Sequence, residues 1–162
     1  MVKIIIRYGI VGGTLSIALG LLNWFTISPY FDPRISQIIG YTSVLLVLMC
    51  IPMGIKYFRD QKNNGIVTLL QSIKIGLGIT VITTLMVYCY TALFFLIAGD
   101  DYNKWQTEKL SPGDIQALHE RMAQMPDYAV TPWFQGFIIS VMVFLMGLMI
   151  VLFSTIMLKS NK

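Results

Sequence analysis

The stretch GIKYFRDQKNNGIVTLLQSIKIGLG, Gly54 to Gly78, breaks into an otherwise apolar chain. It gathers Lys56, Arg59 and Lys62 around Asp60, then passes into a run in which polar and apolar residues share every turn. Apolar sequence flanks it on both sides: IIGYTSVLLVLMCIPMGIKYF (Ile38 to Phe58) before it, and Ile66 to Ala98 after it. A basic turn between two runs long enough to cross a bilayer is a hairpin held at one membrane face. That reading makes the flanking segments an antiparallel pair of spanning helices.

Two further runs extend the pattern, Ile4 to Ile27 and Trp133 to Leu158, each near the roughly 20 residues a spanning helix needs. Composition agrees. The 162 residues are 56% hydrophobic and 12% charged, with a mean hydropathy of +0.69, whereas soluble domains carry about a quarter charged residues. The expected fold is all-α: a single integral-membrane four-helix bundle with spans at about 4–27, 38–58, 75–98 and 133–158. A signal-like basic start and a small-x-small site at Ser16 and Ala18 precede more apolar sequence up to Ile27, so the first run reads as an uncleaved anchor.

Charge placement sets the orientation. With the amino terminus inside, Lys3, Arg7, Lys56, Arg59, Lys62, Lys74, Lys159 and Lys162 fall on the cytoplasmic side, eight of the twelve basic residues, with Asp60 as the acid there. Arg34, Lys104, Lys109 and Arg121 fall outside with the other acids. This obeys the positive-inside rule and predicts cytoplasmic termini and a cytoplasmic hairpin at 56–65. The net charge of +4 therefore follows topology, and no nucleic-acid partner is expected.

Ile66 to Ala98 would form a helix of about 50 Å, longer than a hydrocarbon core of about 30 Å. Ile66, Leu69, Leu70, Ile73 and Leu77 lie at helical spacing on one face, so 66–74 reads as an interfacial lead-in and the span begins near Ile75. That stripe either packs on neighbouring helices or docks an inner-face partner or lipid headgroups. Outside, Gly99 to Thr131 is the one sizeable extramembrane segment, with Asp100 and Asp101 marking the helix end. Within it, Ser111 as N-cap, Pro112 at the first position and an Ile115, Leu118, Met122 stripe predict a short amphipathic helix between spans three and four, ended before Pro126.

No catalytic constellation emerges. His119 is the single histidine, and neither Asp114 nor Glu120 shares its helix face well; Cys50 and Cys89 lie in apolar runs and read as packing residues. No metal, cofactor or enzymatic activity is expected. Asn23 and Gln135 sit near the outer ends of spans one and four, where they would bond to each other or to water. Gly9, Gly13, Ser16 and Gly20, with Gly136 and Ser140 in the last span, provide small faces for close helix approach, within one chain or between two copies. Met49, Met53, Met86, Met142, Met146 and Met149 read as adaptable fillers.

The hairpin residues Gly54, Lys56, Phe58, Arg59, Asp60 and Gly65, the glycine-rich first helix and Pro132 ahead of the last one resemble the family of small Bacteroidota membrane proteins known as domain of unknown function 4199. The resemblance implies four spans and a Gram-negative inner-membrane location, and brings no catalytic residue. The first functional expectation is a non-enzymatic accessory or scaffold subunit in the lipid bilayer, meeting a membrane-protein partner through Lys56, Arg59, Asp60, Lys62, Gln71 and Lys74, or pairing as a homodimer. The alternative is a small transporter or lipid-handling protein, distinguished by a cavity that reaches Asn23 and Gln135. A membrane enzyme using the His119 region is the third.

Overall fold

The computed structural model describes residues 1–158, and for His119 and Arg121 the backbone alone. The expected role of the His119 region and the contributions of Lys159 and Lys162 to the charge bias thus fall outside the described residues. The elements are α1 (Val2–Leu22), a π-helical segment (Asn23–Ile27), α2 (Pro33–Leu48), α3 (Cys50–Lys62), α4 (Leu69–Lys109), α5 (Pro112–Gln124), a short 3₁₀ turn (Asp127–Val130) and α6 (Pro132–Leu158). Four helical stretches are long and apolar enough to cross a membrane: Val2–Ile27, Pro33–Lys62, Leu69–Lys109 and Pro132–Leu158. The protein is an all-α, multi-pass membrane bundle.

Its surface is inverted relative to a soluble protein. Ile97, Ile156 and Met157 are among many large apolar side chains that face outward, while Ser72, Thr80, Thr83, Ser140, Ser154 and Thr155 are buried. In lipid the apolar face gains nothing by turning inward, so small and hydroxyl-bearing residues share the helix contacts with apolar ones such as Leu48, Ile51, Ile55, Ile75 and Ile79. The helix α4 forms the axis of the bundle, with α1 and α6 along it.

The glycines explain how closely these helices approach. A Cβ at Gly9 would sit 2.7 Å from the Cβ of Ile82, one at Gly13 2.3 Å from Met86 Sδ, and one at Gly20 2.9 Å from Tyr90 Oη. The partners on α4 ascend with α1, so the two helices run parallel. Gly76 meets Val151, Gly147 meets Thr80 and Gly136 meets Ala92, a descending series that makes α6 antiparallel to α4. The small faces of α1 and α6 are therefore occupied within one chain. Thr83 Oγ1 adds an interhelical bond to Gly9 O at 3.2 Å, and Ser140 Oγ returns to Phe137 O.

Span two is broken. α2 stops at Leu48 and α3 restarts at Cys50, with Met49 N–H donating to Leu46 O at 3.2 Å in place of the regular ladder. Pro52 supplies the cause, since it has no N–H to give to the carbonyl four residues earlier. Below the break α3 packs on α1, α4 and α6; above it α2 touches α4 and α6 only sparsely.

The hairpin sequence KNNG is a turn with a mechanism. Asn64 (φ 50°) and Gly65 (φ 78°) take left-handed backbone, Gly65 N–H donates to Arg59 O at 2.8 Å, and Asn63 Nδ2 donates to Ile66 O at 2.7 Å. α4 then starts at Leu69 with Thr68 as N-cap: Gln71 N–H donates to Thr68 Oγ1, and Gln71 Oε1 accepts from Thr68 N–H. The polar residues that open this run thus begin a helix through a capping box. Thr68→Ala is expected to cost about 1 kcal/mol, measured as earlier amide exchange in the first turn of α4 with the rest of the helix unchanged.

Of the two roles expected for the stripe that opens α4, packing is the less supported: Leu69 and Leu70 are exposed, Ile66, Ile73 and Leu77 half-buried, and the buried face is Ser72, Ile75, Gly76, Ile79, Thr80 and Thr83. One expectation about α4 needs correction: the helix does not end at Asp100 and Asp101 but runs 41 residues to Lys109, because no breaker occurs before the Ser111-Pro112 start of α5. α5 is capped as predicted, with Asp114 N–H donating to Ser111 Oγ at 3.3 Å, and it ends at Gln124 ahead of Pro126.

Candidate functional site

The sparse contact above the Met49 break leaves a cavity of ≈ 370 Å³ between α2 and the α1, α4 and α6 walls, in the half of the bundle toward α5. The π-helical segment shapes one wall. Ser28 N–H donates to Asn23 O at 2.9 Å, five residues back, and this wider turn carries Asn23 and Trp24 at the cavity. Such widened turns are frequent at functional sites.

One part of the polar lining is a small network at the π-helical turn. Asn23 Nδ2 donates to Ser36 O at 3.1 Å, Ser36 Oγ donates to Asn23 Oδ1 at 3.2 Å, and the hydroxyls of Ser36 and Ser28 lie 3.2 Å apart. Trp105 Nε1 donates to Ser28 O at 2.7 Å, which ties the far end of α4 to the turn between α1 and α2. Around this network stands an aromatic wall. Trp24 meets Phe94 edge-on at 5.3 Å between centroids and Trp105 at 5.8 Å, and Tyr102 joins through Trp105 at 5.5 Å and Phe95 at 5.5 Å. Val44, Val87, Ile139 and Val143 complete the apolar surface. Among the described residues lining the cavity there is no carboxylate, amine, guanidinium or imidazole.

Above the cavity, Lys109 Nζ donates to Pro29 O at 3.4 Å, and Arg34 pairs with Asp114 at 3.4 Å between α2 and α5. These are exposed, weak ties; with the Trp105–Ser28 bond they link the α1–α2 region to the end of α4 and the start of α5.

The cavity reaches Asn23 but not Gln135, so one of the two residues expected to mark it lies in its wall; Asn23 pairs with Ser36, and Gln135 Nε2 donates to Val130 O at 3.4 Å. Ser16 and Gly20 of the anticipated packing set also line the cavity, and the Ser16 hydroxyl is buried without a protein partner. The residues proposed for partner contact form a separate group at the hairpin. Arg59 Nε donates to Asp60 Oδ1 at 2.6 Å. That hydrogen bond, with smaller help from the charges of Arg59 and Lys56, holds the Asp60 carboxyl below its ordinary range. Lys56, Lys62 and Lys74 are exposed, and Gln71 is engaged in the cap of α4. Cys50 is buried and Cys89 exposed, each a free thiol. Among the described residues no group of three or more His, Cys, Asp or Glu side chains converges as a metal site.

Sequence comparison places this geometry in a family. The match to the family described as protein of unknown function (DUF4199) covers residues 7–160, nearly the whole chain. The chain belongs to this family. No curated protein and no solved structure shows significant similarity to it. The hairpin, the glycine-packed core and the cavity all lie within the part that matches DUF4199.

The sequence reading missed the aromatic wall and the Ser28–Ser36 pair. Tyr90, Phe94, Tyr102 and Trp105 recur at helical spacing along one face of α4. That signal is readable only once α4 is known to pass Asp101.

Proposed function

We propose that this DUF4199 protein accommodates a neutral, apolar-bodied molecule, a lipid with an uncharged head, in the cavity at the α5 end, and that lipid handling or transport of such cargo is its work. The single observation that carries this reading is the lining: aromatic and aliphatic walls with hydroxyl and amide groups among them, and no carboxylate, amine, guanidinium or imidazole among the described lining residues. A charged head would find no counter-charge there, and burying an unpaired charge is costly. A volume of ≈ 370 Å³ lies within the range of small-molecule sites. The reading is non-enzymatic, because the Ser28 and Ser36 hydroxyls are bonded to each other and to Asn23, with no general base beside them. The charge bias supports cytoplasmic termini, with the cavity toward the outer leaflet, and the family resemblance implies a bacterial inner membrane.

The test is a titration of purified protein with diacylglycerol, read by native mass spectrometry. A Cβ at Gly40 would meet Asn23 Nδ2 at 3.7 Å, an ordinary contact, so a larger side chain there grows into the cavity without displacing backbone. Gly40→Leu is expected to weaken binding about tenfold or more while thermal stability holds. Equal binding by both proteins would overturn the reading.

A second reading, an accessory subunit docking through the hairpin, draws on the exposed Lys56, Lys62 and Lys74, which make no ion pair among the described residues. Recovery of one stoichiometric membrane partner with wild type, lost in Arg59→Glu/Lys62→Glu, is its expected outcome in a gentle-detergent pull-down. Recovery of the protein alone or only with itself counts against it.

A further inference from the structure

A second concavity, of ≈ 330 Å³, lies toward the hairpin end and shares no lining residue with the cavity described above. It is a groove between α1 and the Met49 break in span two, lined among others by Arg7, Val11, Leu15, Leu46, Met49 and Met53. The five apolar members of that set are between 43% and 66% exposed, so the groove is open to the bilayer. Arg7 stands at the end nearer the hairpin. Eight residues of α1 separate it from Leu15, about 12 Å along the axis.

Arg7 is exposed, and no carboxylate meets it: the ion pairs among the described residues are Arg34–Asp114 and Arg59–Asp60. An arginine on a plain lipid-facing surface would only snorkel toward the headgroups. Here Arg7 instead lines one end of a mostly apolar groove that continues along α1 to Leu15. A cation followed by such a groove matches, in order and in depth, the phosphate and acyl chain of a phospholipid. Guanidinium binds phosphate through two parallel hydrogen bonds, and the flexible thioethers of Met49 and Met53 suit an acyl chain without fixed shape. Basic residues at a membrane surface favour lipids of net negative charge. We infer that this groove is a binding site for an anionic phospholipid of the leaflet at the hairpin end, with its phosphate on Arg7 and one acyl chain along Val11, Leu15 and Leu46. The inference is independent of what occupies the larger cavity.

The experiment titrates delipidated, full-length protein in neutral detergent with phosphatidylglycerol and with phosphatidylcholine of the same chains, read by native mass spectrometry. Wild type is expected to prefer phosphatidylglycerol about fivefold, the factor typical of one basic residue at a membrane surface. Arg7→Gln should bring that ratio to about one. Leu15→Trp, which fills the groove and leaves the charge in place, should weaken both lipids together and keep the ratio. Two results overturn the assignment: a preference that survives in Arg7→Gln, or affinities unchanged by Leu15→Trp. If Arg7→Gln does not fold, the Leu15→Trp arm decides alone.

Discussion

Gly136→Leu is expected to destabilise the bundle by about 1–3 kcal/mol, the usual cost of forcing volume into a packed seam. For a chain of this size that lowers Tm by about 2–4 °C for each kcal/mol. The reason lies in what the new side chain meets. A Cβ at Gly136 would stand 3.0 Å from the backbone nitrogen of Ala92 and 3.2 Å from its Cα, and backbone cannot rotate aside. α4 and α6 must separate. Gly147→Leu should behave similarly, since its Cβ would lie 2.4 Å from Cγ2 of Thr80, a fully buried, branched side chain with nowhere to turn. Gly99 and Gly113 give the contrast: a Cβ at either meets nothing within 4 Å, so leucine there should shift stability by less than about 0.5 kcal/mol. Thermal unfolding of the four variants in one detergent checks the prediction. If Gly99→Leu and Gly136→Leu lose stability equally, the close α4–α6 seam is not what holds the bundle.

Asn23→Leu is expected to cost about 1–3 kcal/mol despite its similar volume, because it strips a donor and an acceptor from a half-buried network and adds nothing polar. Asn23 supplies Nδ2–H to Ser36 O and Oδ1 to Ser36 Oγ. Without it, the buried Ser28 and Ser36 hydroxyls retain only each other and the Asn23 backbone carbonyl. The turn between α1 and α2 should loosen locally, seen as faster amide exchange at Ser28 and Ser36 while the α4–α6 seam keeps its protection. Binding of a neutral lipid should fall as well, since the cavity loses the Asn23 amide from its lining. Leu21→Ala, on the lipid-facing side of α1 where Leu21 is 38% exposed, should show neither effect.

Much of this architecture is legible in the sequence because the bilayer imposes it. Four apolar runs of spanning length, a basic hairpin with Asn-Asn-Gly at its turn and a Ser-Pro start for α5 each rest on local physics, and each recurs in the structure. Failures arise where local signals compete with tertiary ones. The pair Asp100-Asp101 reads as a helix end, yet a helix already started continues through polar residues until something stops it, and Ser111-Pro112 is the first stop. The stripe Leu69, Leu70 and Ile73 leaves packing and lipid docking open in the sequence; the packing face is the neighbouring one, Ser72, Ile75, Gly76, Ile79 and Thr80. Pro52 is visible in the sequence, but the consequence of its missing N–H, a break at Met49 that lets α2 diverge, requires knowing which helices lie beside it. The cavity follows from that divergence. Its wall draws on four helices, and no one-dimensional pattern could have assembled Asn23, Ser36, Phe94 and Val143 into one lining.

The measurement that bears most directly on the cavity uses its own tryptophans. The chain has three, Trp24, Trp105 and Trp133; the first two line the cavity and the third is 54% exposed. In a Trp133→Phe background, all tryptophan emission reports on the cavity. Titration with diacylglycerol bearing bromine on its acyl chain, in detergent, should quench that emission to a plateau at one equivalent, and Gly40→Leu should abolish the plateau. Quenching that rises without saturation, or a plateau unchanged by Gly40→Leu, would contradict a neutral lipid seated between α2 and α4.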